Sequence, residues 1–191
     1  MWERTITVSS GSKSFGVTGW RVGWSVGPED LISCLLVVHQ SADGVCATPT
    51  QEAVARCIEK EITTLNQPES HFCTQREKLL EKRDVSVQLL REAGFVPCVP
   101  DAGFFVMADW SSVATEEMVR DGSVSSPDFL FVKWFLKNLG ILTIPPSAFY
   151  GEENNKHICS RYVRFCFCKT DDNFDKARQI LKDIPKLKRI Q

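Results

Sequence analysis

The residues from Gln67 to Gly94 set the frame for the rest of this chain. Gln67-Pro68-Glu69-Ser70 interrupts any regular element. The charged stretch after it carries Leu79, Leu80, Val87 and Leu90 at helical spacing to about Ala93, where Gly94 supplies a stop. A helix this long, flanked by short segments of both strand and helix period, predicts a mixed α/β fold in two parts, residues 1–66 and residues 67–191.

Before the break, Thr5 to Val8 and Arg21 to Val26 read as strands. Gly27-Pro28-Glu29-Asp30 opens a helix that carries Leu31, Ile32, Leu35 and Leu36 and ends near His39. Residues 41–49 read as a loop, and a helix follows from Thr50 with Val54, Ala55 and Ile58 inward. Beyond the long helix, Phe95 to Val99 and Phe104 to Ala108 are strands joined by Pro100-Asp101-Ala102-Gly103. Ser126-Pro127 opens a helix that Gly140 closes. Strands near Ile141–Ile144 and Tyr162–Cys168 come next. A last amphipathic helix starts at Asp171-Asp172, with Phe174, Ala177, Ile180 and Leu181 inward.

Composition removes several classes of function. With 43% hydrophobic and 25% charged residues and a net charge of -1, the chain has no basic excess for nucleic acid or an anionic membrane. Its longest apolar runs, such as Phe129 to Leu136, are too short to span a bilayer. Met1-Trp2-Glu3-Arg4-Thr5 has the pattern of neither a secretory leader nor a transit peptide. The eight cysteines lack C-x2-C pairs, and Cys34, Cys98, Cys166 and Cys168 sit in apolar segments. They are expected to be free thiols acting as small hydrophobes in a reducing compartment, cytoplasm or an organelle matrix, with no metal site. His39, His71 and His157 are scattered and read as structural or solvated.

The chemistry concentrates in Ser10-Gly11-Ser12-Lys13-Ser14-Phe15-Gly16-Val17-Thr18-Gly19-Trp20-Arg21. A lysine among small residues, with an arginine eight positions on, suits an amine that reacts with an aldehyde beside a bound phosphate. Ser10, Ser12 and Arg21 offer phosphate donors. A surface lysine in a Ser/Gly loop, a strand-end cap at Ser10 and a surface charge at Arg21 remain the competing readings. Arg164 stands out separately. Alternation along residues 162–167 puts Val163, Phe165 and Phe167 on one face and Tyr162, Arg164 and Cys166 on the other. A mid-strand arginine needs an anion, either an internal carboxylate or a ligand.

These segments resemble the fold-type I, class I/II aminotransferases that use pyridoxal phosphate, and among them the kynurenine aminotransferases, also called cysteine-S-conjugate β-lyases. The Lys13 stretch is similar to the family's Schiff-base lysine signature. Val22-Gly23-Trp24, Val38-His39-Gln40, Cys46-Ala47-Thr48-Pro49, Phe131-Val132-Lys133-Trp134, residues 144–150 and Val163-Arg164-Phe165-Cys166-Phe167 follow in the family's order. The resemblance implies that residues 1–66 are the end of the large cofactor domain and residues 67–191 the small α/β C-terminal domain. It implies Lys13 as catalytic and cofactor-bound, Ser10 and Arg21 on the phosphate, Arg164 on the substrate α-carboxylate, and Phe104, beside Gly103, on the substrate pocket. At Phe104, a core strand residue is the competing reading.

The implied activity is transamination between an L-amino acid (kynurenine, glutamine or another aromatic or neutral one) and a 2-oxo acid, with C–S β-lyase activity alongside, in a full-length homodimer of the cytoplasm or mitochondrial matrix. Two departures qualify it. Gly11 replaces a larger residue, and Ser41-Ala42-Asp43-Gly44-Val45 replaces bulky side chains of the substrate wall, which counts against a preference for kynurenine. The family's Asp at the pyridine nitrogen, its Tyr at the ring hydroxyl and its N-terminal substrate wall all precede the lysine by more than the twelve residues present here. The chain alone is therefore expected not to transaminate. The alternative is a non-catalytic fragment that folds or associates with a full-length subunit.

Overall fold

Two compact units, Met1–Arg76 and Glu77–Gln191, make up the computed structural model, which describes residues 1–65, 67–120, 125–151 and 156–184. The division falls within the long helix; Asn66, at the boundary expected from sequence, lies outside the described residues.

In the first unit, β1 (Thr7–Ser10) and β2 (Gly23–Val26) pair antiparallel, from Thr7↔Val26 to Ser10↔Gly23. The strands begin two residues later than the sequence suggests, for local reasons. Thr5 closes a 3-10 turn over Trp2–Arg4, its N–H 3.0 Å from the Trp2 oxygen. Arg21 has φ of 56°, which no ladder residue adopts. The connection holds one helical turn, α1 (Gly11–Ser14), and a 3-10 turn over Thr18–Trp20.

Helix α2 (Glu29–Ala42) starts behind Pro28 with Glu29 and Asp30 in its first turn. It runs three residues past His39, to a stop at Asp43 and Gly44, whose φ is 74°. None of its residues is buried, and Val37 and Val38 remain 64% and 63% exposed. Helix α3 (Thr48–Thr64) begins two residues before the expected Thr50, because Pro49 fits the first turn. It buries Val54 and Glu61, whereas Ala55, expected inward, is exposed on the adjoining face.

Helix α4 (His71–Glu92) leads into the second unit, and Gly94, at φ 93°, ends it. Its inward side is Val87, Leu89 and Leu90; Leu80, expected there, is 47% exposed. Strands β3 (Val96–Cys98), β4 (Phe105–Asp109) and β5 (Tyr162–Cys166) form one antiparallel sheet in that order. Short helix α5 (Glu116–Val119) precedes α6 (Pro127–Leu139), which runs from its Ser126 cap to Gly140 at φ 70°. Helices α7 (Lys156–Cys159) and α8 (Asp171–Leu181) flank β5 in sequence.

One sheet face carries Val106, Ala108 and Val163, all fully buried against Leu90 of α4, Phe131 and Phe135 of α6 and Leu181 of α8. Trp110 stacks on Phe131 at 4.7 Å, and Phe131 stacks on Phe135 at 5.3 Å. The strand expected near Ile141–Ile144 reduces to one bridge, Ile144↔Arg164, because Pro145 and Pro146 have no N–H to extend it. Strand β5 ends at Cys166, short of the expected Cys168. None of the eight cysteines forms a disulfide, but Cys34, Cys98, Cys166 and Cys168 are exposed rather than packed; Cys159 is the buried one. The outward face of a sheet alternates with its core face, and that is where Cys98 and Cys166 fall.

Candidate functional site

Register brings Ser10 and Arg21 to one end of the hairpin. Ser10 pairs with Gly23, and the Gly11 N–H donates to the Val22 oxygen at 3.1 Å, so Arg21 follows directly from the closed stem. Ser10 caps α1: its Oγ accepts the Ser12 N–H at 3.0 Å, leaving its own hydroxyl proton to donate elsewhere. The Arg21 side chain makes one long hydrogen bond to a described residue, Nη1 to the Thr18 oxygen at 3.4 Å, and the residue is exposed. Lys13 lies on the same turn, exposed, without a hydrogen bond or ion pair to any described residue. A hydroxyl, a guanidinium and an ammonium with free donors at one hairpin end are a donor set that suits a phosphate with a reactive carbonyl attached.

Glycine at position 11 has a steric reason. A β-carbon there would lie 3.3 Å from Val54 Cγ2 of α3, tighter than ordinary contact. Beneath the other end of the turn, His71 Nε2 is 3.0 Å from the Ser14 oxygen, and the His71 ring stacks on Phe15 at 5.6 Å. His71 is set in turn by Glu61, whose carboxylate accepts the Ser70 hydroxyl at 2.8 Å and the His71 N–H at 3.1 and 3.2 Å. The Ser70 hydroxyl above all, then the backbone N–H groups at the start of α4, hold the Glu61 carboxyl below its ordinary value, against the opposing effect of burial.

The second unit holds Arg164 and Phe104. Arg164 is pinned through its backbone: its N–H donates to the Ile144 oxygen at 3.0 Å, and its oxygen accepts the Ile144 N–H at 3.1 Å. Its guanidinium lies between two rings, 4.1 Å from the Phe105 centroid and 4.7 Å from that of Phe149. Its Nε is buried and has no hydrogen-bond partner among the described residues. A buried cationic donor with no acceptor is costly to keep and fits an anion supplied as ligand. Phe104 is half-buried just before β4, its oxygen accepting the Phe167 N–H at 3.0 Å.

The ring on the guanidinium is thus the neighbouring Phe105, which sequence reasoning passed over. Its signal was the alternation of β4: Phe105 pairs with Cys166 and shares the outer face with Met107, which pairs with Arg164. Phe149 had no periodic signal, since it ends a 3-10 turn held from afar, the buried Asp128 Oδ2 accepting the Ser147 N–H at 2.8 Å. Among the described residues, no cluster of His, Cys, Asp and Glu can hold a metal ion, and no helix is long and apolar enough to cross a membrane.

The chain is similar to known proteins over most of its length. The family model described as aminotransferase class I and II matches residues 2–181. Kynurenine--oxoglutarate transaminase 3 of Homo sapiens is 43% identical over 183 residues, which cover 95% of this chain and 40% of that protein. Among solved structures, Bna3p of Saccharomyces cerevisiae superposes with a TM-score of 0.84 at 28% identity, covering 97% of this chain and 43% of its own. N-succinyldiaminopimelate aminotransferase of Mycobacterium tuberculosis gives 0.77 at 30% identity, covering 96% and 43%. The chain spans about 40% of the length of the curated relatives it matches.

Proposed function

The chain belongs to the class I and II aminotransferases, and on that premise we propose that it carries the lysine, phosphate-binding and carboxylate-binding residues of a pyridoxal-phosphate transamination site. The reaction exchanges an amino group between an L-amino acid and a 2-oxo acid. When bound, pyridoxal phosphate supplies an aldehyde that condenses with amines and a ring that draws electrons from the substrate α-carbon.

The observation that carries this reading is the donor set at the hairpin end: Lys13, Ser10 and Arg21, with the Lys13 amine and the Ser10 proton uncommitted among the described residues. Ser10 Oγ–H and the Arg21 guanidinium hold phosphate oxygens. Lys13 Nζ anchors the aldehyde and, once released, takes the proton from the substrate α-carbon. Arg164 binds the α-carboxylate through the Nε that has no acceptor among the described residues, and Phe105 and Phe149 keep water from its planar faces. Phe104 contributes to the wall of the substrate pocket. The similarity to kynurenine--oxoglutarate transaminases favours an aromatic or neutral amino acid, with glutamine and cysteine conjugates as further candidates.

The test is chemical. Residues 1–191 are incubated with pyridoxal phosphate, reduced with borohydride and digested, and the peptides are weighed. The adduct is expected on Lys13 and lost in Lys13→Ala; adducts spread evenly over surface lysines sink the reading. Turnover of kynurenine or glutamine with a 2-oxo acid is not expected from these 191 residues alone, since the matched relatives are more than twice as long.

A second reading has its own observation. Helix α2 buries none of its residues, and Val37 and Val38 stay largely exposed. That surface suits association with a full-length subunit, in which case the chain has no catalysis of its own. Sedimentation of the chain alone and mixed with a full-length relative separates the two.

A further inference from the structure

We propose that His71 is a positioning residue for Lys13, acting through the hydrogen bond from its Nε2 to the Ser14 carbonyl oxygen. The role rests on the reading of Lys13 as the amine that anchors the cofactor. Helix α1 is a single turn, so the carbonyls at its end have no helical partner. His71 Nε2 meets the one at Ser14, 3.0 Å away and 57 residues on in sequence. A carbonyl oxygen only accepts, so Nε2 carries the proton in this contact.

The ring is held from below. Phe15 stacks on His71 with centroids 5.6 Å apart and planes 29° from parallel. Phe72 completes the cluster, 5.6 Å from Phe15 and 5.7 Å from His71. The His71 backbone is fixed by the Glu61 carboxylate, which is itself buried and bonded to Ser70. A rigid path therefore runs from α3 through Glu61 and His71 to the carbonyl next to Lys13.

The opposite end of the turn is secured differently, by the Gly11 N–H on the Val22 oxygen and the close seat of Gly11 on Val54. The Lys13 side chain makes no hydrogen bond or ion pair with any described residue that would fix its direction. Its direction is set by what holds α1. Thr18 Oγ1 donates to the Ser12 oxygen at 3.1 Å and Ser14 Oγ to the Ser10 oxygen at 3.2 Å, both from within the hairpin connection. His71 is the donor that reaches the turn from another element, at the carbonyl just after Lys13.

The test uses the full 191-residue chain with two variants. His71→Phe keeps a ring against Phe15 and removes the donor; His71→Gln removes the ring and keeps a side-chain N–H. Far-UV circular dichroism establishes equal folded content. The readouts are the rate of borohydride-fixed pyridoxal phosphate at Lys13, the rate of Lys13 acetylation, and deuterium exchange at the Phe15 amide, which donates within the turn to Gly11.

The expected result for His71→Phe is cofactor fixation slowed by about fivefold, the factor one net hydrogen bond carries, with faster exchange at Phe15 and restoration to within about twofold in His71→Gln. Wild-type rates in His71→Phe overturn the proposal, as does equal loss in both variants, which would assign the role to the ring. Wild-type chain that never takes up cofactor at Lys13 defeats the functional reading instead. Acetylation and exchange then judge His71, and equal values in wild type and His71→Phe overturn it.

Discussion

Two arginines are held at a cost, one in its backbone and one in its side chain, and both belong to the proposed ligand contacts. Arg21 is the one non-glycine residue with positive φ among those described. The left-handed backbone costs it about 1–2 kcal/mol. A glycine there is free of that strain but loses about 0.5–1 kcal/mol in chain entropy, so relief wins narrowly. Arg21→Gly is expected to melt at the same or a slightly higher temperature while losing phosphate affinity, measured by calorimetry with inorganic phosphate; a sharp drop in melting temperature would mean that the guanidinium holds the fold. Arg164 is the more demanding case. Lysine at that position cannot stack between Phe105 and Phe149 or present a planar fork. Arg164→Lys is expected to raise the Kd for a 2-oxo acid about tenfold to a hundredfold, the range of a lost charge-assisted hydrogen bond.

Between elements, Glu61 joins the end of α3 to the start of α4, placing a carboxylate where a helix N-terminus favours negative charge. Its carboxyl is held below the ordinary value of 4.5, so folding favours the ionised form. The stabilisation is therefore fully present above the ordinary value and fades as pH falls through the lower, folded one. Thermal melts of wild type and Glu61→Gln are expected to differ at pH 7 and converge toward pH 3; a constant gap would rule out ionisation as the cause. The helix borders at Pro28, Ser126, Gly94 and Gly140 were legible because these residues act locally; at Pro49 the same residue type was read as a turn rather than as the first turn of α3. The proposed roles of Lys13, Ser10, Arg21 and Arg164 rest on local pattern in the same way, each residue standing out in its own segment. His71, Glu61 and Asp128 were not, since their partners lie far along the chain and no short pattern announces a carboxylate that caps a distant turn.

For each folded unit as a whole, stability concentrates where apolar area is greatest. Phe131 lies at the centre of the second unit's core, fully buried between Trp110 and Phe135. Phe131→Ala is expected to remove about 3–5 kcal/mol from that unit, read by Trp110 fluorescence in urea. A loss under 1 kcal/mol, by the same principle, would mean the aromatic stack is not what holds the sheet to α6. The first unit has no comparable centre: Val22 and Val54 are its buried apolar residues, beside a helix with none. An exposed probe dye should therefore bind near α2 rather than near α6.

The antiparallel ladder that joins Ser10 to Gly23 also says what kind of change this chain can absorb. Both ends of the intervening segment are tied, so the distance between Ser10 and Arg21 along the sequence matters less than the knot beneath them. Gly16 and Gly19 face open space, with nothing within 4 Å of where a β-carbon would sit. Lengthening a tethered loop costs only about 0.6 kcal/mol per doubling. Extra residues beside Gly16, before the 3-10 turn over Thr18–Trp20, would leave the ladder and the Gly11 anchor in place, so sequences descended from this one can drift in loop length without untying the hairpin.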